Sequence, residues 1–308
     1  MNKELAKKFR SGHSSCAGCA MPIVVRTVLN AVDFPMVVAN ATGCMEVTST
    51  IYPQTNWQVP YIHSVFGNAA ATIAGVETAY RALKKRGAVK EKKPVKFIAF
   101  GGDGGTYDIG LQALSGALER GHNFLYVCYD NEGYMNTGGQ RSGATPRGAA
   151  TETTPFGGLS WGKKDNRKDL MAIAEAHHLE YLATANISFL EDLKRKVKKA
   201  IEVAGPTFLL VLSPCTALWK FPPSQTIEIA KKATDSLFWP LYEIEKGRYK
   251  ITYQPSKILK LADFYRLQGR FKGWWEKETK EREAFLAEEQ RKVEENWANL
   301  QKRVECGI

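Results

Sequence analysis

Short apolar runs bounded by turn residues recur along the chain: "PMVVAN" at 35–40, "VKFIAF" at 95–100, "FLYVCYD" at 124–130, "EYLATA" at 180–185 and "TFLLVL" at 207–212. Runs of this length without strict alternation predict strands buried on both faces of a sheet. Between them lie stretches with helical spacing: "PIVVRTVLNAV" from Pro22, "NAAATIAGVETAYRALKKRG" from Asn68, "YDIGLQALSGALERG" from Tyr107 and "FLEDLKRKVKKAIEVAG" from Phe189. The first opens on proline and the others close on Gly87, Gly121 and Gly205, which suits helix starts and stops. The alternation predicts an α/β fold, a mostly parallel sheet with helices on both faces. Residues 132–168 break the pattern, being rich in Gly, Thr, Ser and Pro without a period. Loops that long in a compact domain are usually binding loops or lids. After about residue 254 the pattern changes again, which divides the chain into an α/β domain at 1–254 and a helical tail at 255–308. In that tail Leu286, Val293, Trp297, Leu300 and Val304 share one helical stripe, suited either to a neighbouring subunit or to the chain's own domain. There is no internal repeat.

Composition narrows the class. Of 308 residues, 44% are hydrophobic and 24% charged, enough to build a core, so disorder is not expected. No apolar run is long enough to span a membrane, and "MNKELAKKFR" carries charge with no apolar stretch behind it, so the expectation is a cytoplasmic protein with reduced thiols. The net charge of +11 is spread over stretches such as "RALKKRGAVKEKK" that read as solvated helix faces. Without a basic stripe interleaved with aromatics, nucleic acid is not an expected partner. Six cysteines and no secretory signal favour metal or redox use for some of them over a disulfide framework.

Candidate chemistry concentrates in "FIAFGGDGGTYDIGLQAL", which runs from a strand through four glycines into a helix. Glycines there let backbone N–H groups approach an anion at the helix start. The stretch lacks both the G-x-G-x-x-G spacing and the Gly-Lys-Ser/Thr of a P-loop. Asp103 in its middle would repel a phosphate unless a divalent cation sat between them, and Mg²⁺ takes one or two protein oxygens alongside diphosphate oxygens. Asn131, in "CYDNEGYMNTGG" at the next strand's end, offers an amide oxygen and Gly133 a main-chain carbonyl. A "GDG" followed at that distance by asparagine, each after a strand, points to thiamine diphosphate held through Mg²⁺. The simpler reading is turn residues between strand and helix. Cys16 and Cys19 in "SCAGCA", and Cys44 in "ATGCMEVTST", raise the question of a metal site. A C-x-x-C with distant cysteines suits zinc and iron–sulfur alike. Cys128 reads as a buried strand residue, and Cys306 lies at the terminus.

The stretches "GGDGGTYDIGLQALSGALERG", "YDNEGYMNTGGQRSGATP" and "SSCAGCAMPIVVR … ATGCMEVTSTIYP", with "FPPSQTIEIA", "FWPLYE" and "LQGRF", resemble the β subunits of the pyruvate:ferredoxin oxidoreductases, within the wider 2-oxoacid:ferredoxin oxidoreductase family. The similarity runs over nearly all of residues 10–270. It implies a thiamine diphosphate-binding fold with Mg²⁺ held by Asp103, Asn131 and the Gly133 carbonyl. It implies a cofactor lined by Cys44, Gly102, Asp103, Gly104, Gly105, Asn131, Gly133, Tyr134 and Asn136, with Asn136 pointing its amide at the bound 2-oxoacid as the catalytic side chain. One [4Fe–4S] cluster would be ligated by Cys16, Cys19, Cys44 and Cys215. The implied reaction is oxidative decarboxylation of a 2-oxoacid, pyruvate first, to acyl-CoA and CO₂, with electrons passing through the cluster to ferredoxin. Coenzyme A and an α subunit, with further subunits, are the implied partners. The carboxylic acid that activates the aminopyrimidine would come from that α subunit, since neither Glu46 nor Glu77 stands out for the role. The chain departs from its relatives at Ala20 and Met21 after the second cysteine and at Gly67 in "FGNAAA", which leaves oxalate, a branched-chain or an aryl oxoacid as alternatives. His13 could hydrogen-bond a cluster sulfur or merely stabilise its loop; His63 is ambiguous, and His177 and His178 suit a helix surface. A different class of reading is a non-catalytic, zinc-stabilised, phosphate-binding interaction subunit.

Overall fold

The five apolar runs form the central strands of one sheet in a computed structural model that describes residues 8–307, so most of the charged opening stretch lies outside the described residues. The strands are β1 (Met36–Ala41), β2 (Tyr61–Ser64), β3 (Lys96–Gly102), β4 (Leu125–Asp130), β5 (Tyr181–Asn186), β6 (Thr207–Leu212), β7 (Leu241–Glu245) and β8 (Arg248–Tyr253). Their order is β2-β1-β3-β4-β6-β5-β7-β8, parallel through the first six and antiparallel at β7 and β8. Every residue of β4, β5 and β6 is buried, as strands covered on both faces require.

The helices are α1 (Met21–Ala31), α2 (Cys44–Ser49), α3 (Ala69–Lys85), α4 (Leu111–Glu119), α5 (Leu170–Glu175), α6 (Leu190–Glu202), α7 (Thr216–Trp219), α8 (Thr226–Asp235), α9 (Leu261–Arg266), α10 (Lys272–Trp275) and α11 (Thr279–Cys306). Alternate strand residues face opposite layers. Ile98, Phe100, Val127 and Tyr129 pack with Val24, Val28 and Leu29 of α1 and Leu193 and Val197 of α6. Phe97, Ala99, Tyr126 and Cys128 pack on the other face with Ile73 of α3 and Leu114 and Leu118 of α4. The sheet is therefore mostly parallel with helices on both faces. The helix expected from Tyr107 divides, since Gly104–Ile109 forms a wider π-helical turn and the α-helix begins at Leu111.

The tail folds back on its own chain. Phe285 of α11 stacks on Trp274 at 3.8 Å and 3° between ring planes. Further along, Trp297 and Leu300 cover Leu237, Tyr242, Tyr249 and Ile251. Leu286 and Val293 of the expected stripe are partly buried on the main core. Arg147, in the long loop, pairs with Glu288 and Glu289 of α11. Among the described residues no helix is long and apolar enough to cross a membrane.

Candidate cofactor site

Because β1, β3, β4 and β6 are parallel neighbours, the segments that follow them emerge at one edge of the sheet. From β1 the chain runs outward to β2 and then returns to β3 on the other side, so the order reverses between β1 and β3. Open α/β sheets bind ligands in the crevice at such a reversal, outside the carboxyl ends of the strands. A cleft lies there. It is lined by Thr42–Cys44 after β1, Phe66 beyond β2, Gly102–Gly105 after β3, and Tyr129, Asn131 and Gly133–Thr137 at and after β4. Every residue expected to touch the cofactor lies on this one cleft.

Asp103 is buried, and its Oδ1 accepts from the Asn131 N–H at 3.3 Å while Oδ2 accepts from Ser142 Oγ. Burial, and then the neighbouring Asp130 carboxylate, push the Asp103 carboxyl well above its usual range, against the lowering effect of those hydrogen bonds. A cation on Asp103 would offset that burial penalty. The Asn131 amide oxygen accepts from the Gly133 N–H at 3.3 Å, which folds the loop around its own side chain, and Trp219 Nε1 donates to the Asn131 carbonyl at 3.0 Å.

The floor of the cleft is bare backbone. A Cβ on Gly104 would lie 2.5 Å from the Tyr134 ring, so only glycine fits, and Tyr134 in turn donates its hydroxyl to the Gly104 carbonyl at 3.1 Å. Asn136 is exposed at the rim, and its amide has no hydrogen-bond partner among the described residues.

The four cysteines of interest come from three stretches that hydrogen bonds pin together. Ser14 N–H donates to the Thr48 carbonyl at 2.9 Å, tying the first loop to α2, whose first residue is Cys44. Thr216 and Thr226 donate to the carbonyls of Ala17 and Gly18 at 3.3 and 2.7 Å, tying the same loop to the segment that begins at Cys215. Gly18, at φ +70°, lies so close to Pro223 that a Cβ would approach its backbone to 2.6 Å. Burial pushes the Cys19 thiol up to about 12, and Cys215, Cys44 and Cys16 add to the rise. Cys44 is likewise pushed up to about 12 by burial and then by Cys215, Cys16 and Asp103. The hydrogen bonds tie the three stretches that carry these cysteines to one another, and Cys44 also lines the cleft. Among the described residues, no three His, Cys, Asp or Glu side chains are gathered so as to hold a metal ion. All six cysteines are free; Cys128 is buried in β4 and Cys306 exposed.

Other candidates are occupied elsewhere. Glu46 accepts from Thr50 at 2.9 Å and stands 3.6 Å from His63, while Glu77 pairs with His122 and Arg81. His63 meets Thr42 Oγ1 at 2.6 Å. His13 stacks on Phe9 with Nδ1 buried and without a hydrogen-bond partner among the described residues, and His177 bridges Ser115 and the Ile173 carbonyl. Met21 is buried in the core at the start of α1. Sequence reasoning missed Ser142 on Asp103 and the ion pairs behind the loop, in which Glu132 meets Arg167 and Arg270. The charged "DNE" and "NRK" segments flanking the glycine-rich loop were the available signal for the latter.

A family model described as "Thiamine pyrophosphate enzyme, C-terminal TPP binding domain" matches residues 41–211. The chain is 50% identical to pyruvate synthase subunit PorB of Thermotoga maritima, over 88% of this chain and 86% of that protein. It is 52% identical to pyruvate synthase subunit PorB of Methanocaldococcus jannaschii, over 86% and 89%. Ketoisovalerate oxidoreductase subunit VorB of Pyrococcus abyssi is 40% identical, over 97% and 94%. Among solved structures, a 2-oxoglutarate:ferredoxin oxidoreductase from Magnetococcus marinus shares the fold with a TM-score of 0.59 at 19% identity, over 75% of this chain and 80% of that one.

Proposed function

The chain belongs to the PorB family of thiamine diphosphate-dependent 2-oxoacid:ferredoxin oxidoreductase subunits, and from that premise we propose that it carries the cofactor and first electron acceptor for oxidative decarboxylation of pyruvate to acetyl-CoA and CO₂. The observation that carries this reading is the position of Cys44, which lines the cleft beside Asp103 and Asn131 and opens the helix that hydrogen bonds tie to the Cys16–Cys19 loop, itself tied to the segment that begins at Cys215.

The donor set fits the groups it would hold. Asp103 is a buried carboxyl pushed above its usual range by burial and the neighbouring Asp130, a penalty that a bound cation would offset, and with Asn131 and the Gly133 carbonyl it would supply hard oxygens to Mg²⁺. The glycines Gly102, Gly104 and Gly105, which line the cleft without side chains of their own, suit close approach of a diphosphate to backbone N–H groups. Four thiols, Cys16 exposed and Cys19, Cys44 and Cys215 half-buried, are the donors a [4Fe–4S] cluster would take, since coordinated iron holds a thiolate deprotonated where burial alone opposes it. When bound, thiamine diphosphate supplies an electron sink for loss of CO₂, and the cluster a one-electron acceptor beside it.

The chain's own residues then position and shield. Asn136, with an unpaired amide at the rim, is assigned to donate a hydrogen bond to the oxoacid. Phe66 and Tyr134, whose ring centroids lie 5.6 Å apart, wall the cleft with aromatic surface. The carboxylic acid that engages the aminopyrimidine is assigned to a partner subunit, because Asp103 contributes the single carboxylate among the described lining residues and is committed to the metal. Ferredoxin, coenzyme A and further subunits are the remaining partners, and the cytoplasm is the assigned compartment. The VorB relative keeps a branched-chain oxoacid as the alternative substrate.

The test begins with anaerobic purification of the complex. A brown protein with about four iron atoms per chain is expected; a colourless one holding zinc sinks the reading. Asp103→Ala should abolish thiamine diphosphate binding by titration calorimetry and leave the iron content intact. Unchanged binding would remove Asp103 from the metal site.

A further inference from the structure

Behind the cleft, the loop that follows β4 is gripped by charges that the functional reading does not use. Glu132 sits between Asn131 and Gly133, fully buried, with its backbone in the left-handed region at φ +68°. Its Oε1 accepts from Arg167 Nη1 at 2.7 Å, and Oε2 from Arg270 Nη2. The Glu132 N–H donates to Asp130 Oδ1 at 3.0 Å, and its carbonyl accepts from Thr145 Oγ1 at 2.6 Å. Arg270 arrives from beyond α9, is oriented by Gln268 Oε1 at 2.8 Å, and lies 4.1 Å above the Trp219 ring. Trp219 in turn donates to the Asn131 carbonyl at 3.0 Å. Glu132, Arg270, Trp219 and Asn131 thus form a closed ring around the peptide that would carry the metal's oxygens.

The charges around that ring are unequal. Asp103, Asp130 and Glu132 are buried carboxylates, and Arg167 and Arg270 are the guanidinium groups paired with them. Arg167 reaches both Asp130 and Glu132, whereas Asp103 has no ion-pair partner among the described residues. One negative charge is left over, at the position assigned to Mg²⁺.

We propose that Glu132, clamped between Arg167 and Arg270, is a positioning residue that fixes the Asn131 amide oxygen and the Gly133 carbonyl for Mg²⁺, while Arg167 neutralises Asp130 so that Asp103 is free to serve the cation. This rests on the cofactor assignment above. Partners that orient metal ligands from behind typically change metal affinity about 10–100-fold when removed. A brace that served only folding would lower thermal stability without that change.

The deciding experiment titrates Mg²⁺ and thiamine diphosphate into the cofactor-free complex, assembled with its partner subunits, by calorimetry. Glu132→Gln keeps the side-chain shape and removes the charge; it should weaken Mg²⁺-dependent cofactor binding by about 10–100-fold, with iron content and cluster absorbance as in the wild type. Excess Mg²⁺ should restore binding. Should Glu132→Gln fail to assemble, Arg167→Lys decides, since it keeps the charge but loses the two-pronged grip, and the same shift is expected. Wild-type-like affinity in an assembled variant, with only a lowered melting temperature, overturns the inference. A wild-type complex that binds no Mg²⁺ and cofactor overturns the cofactor assignment itself, which is a separate outcome.

Discussion

Lys163 shows how a single residue can hold a site it does not line. Its ammonium is buried beneath the long loop and donates to the carbonyls of Ser142, Gly143 and Thr145 at 3.2, 3.3 and 2.7 Å. Ser142 is the residue that bonds Asp103, so Lys163 secures the loop that orients the proposed metal ligand. Lys163→Met should leave these carbonyls unpaired and cost about 2–4 kcal/mol of stability. Burial pulls the ammonium down to about 8, with Arg141 and Arg167 adding to the effect. Between about pH 8 and the ordinary lysine value the unfolded chain therefore binds more protons than the folded one. The Lys163 contribution to stability must rise with pH across that window. Melting curves of wild type and Lys163→Met from pH 7 to 10.5 should converge on neither side but differ in slope, the wild type gaining relative to the variant; parallel curves would remove the burial argument. The cleft itself was legible because its chemistry sits in contiguous words, "GGDGG", "DNEGYMN" and "TGC". Lys163, Ser142 and Arg270 were not, because each acts through contacts made far along the chain, and nothing local distinguishes a buried lysine from a solvated one.

At the scale of elements, α11 works as a strap. Phe285 stacks on Trp274, and the Trp274 Nε1 donates to the Gly148 carbonyl at 3.0 Å, so the tail presses on the long loop from outside. Phe285→Ala should cost about 3–5 kcal/mol, as truncation of a buried aromatic does. It should leave cofactor affinity unchanged, since the ring is not part of the cleft; a loss of affinity measured by calorimetry would mean that the strap shapes the site. The central strands and the helices of α1, α3 and α6 were readable because their periods are long and clean. The β7–β8 hairpin was not read, although Lys246 and Gly247 take φ of +51° and +77° as a tight turn demands. Its strands are antiparallel, and β8 is partly exposed and carries Arg248 and Lys250, which read as loop. The π-helical turn near residue 107 is hidden in the sequence for a different reason: it differs from an α-helix by one residue, and no side-chain pattern announces it.

For the whole molecule, the proposed function divides the site between this chain and a partner subunit. Large apolar side chains stay exposed on segments next in the chain to those that line the cleft: Val47 on α2, Ile51 and Tyr52 just beyond it, Val65 before Phe66, and Ile109 at the end of the π-helical turn. Tyr52 is 94% exposed. These flank the segments that line the cleft, and a partner subunit seated on them would bury apolar surface and close the site together. The same partner would bring the activating carboxylic acid, because Asp103 is assigned to the metal and Glu46 and Glu77 are engaged with His63, Thr50, His122 and Arg81. Two properties that usually travel together should then separate. The isolated chain should bind Mg²⁺ and thiamine diphosphate, since Asp103, Asn131 and the glycines are all its own. Hydrogen–deuterium exchange at C2 of the bound thiazolium, followed by NMR after rapid quenching, should nevertheless stay slow until the partner subunits are added, and then rise by about 10²–10⁴-fold, the usual contribution of a positioned acid–base group. Fast exchange in the isolated chain would place the activating acid within this polypeptide and overturn the division of the site between subunits.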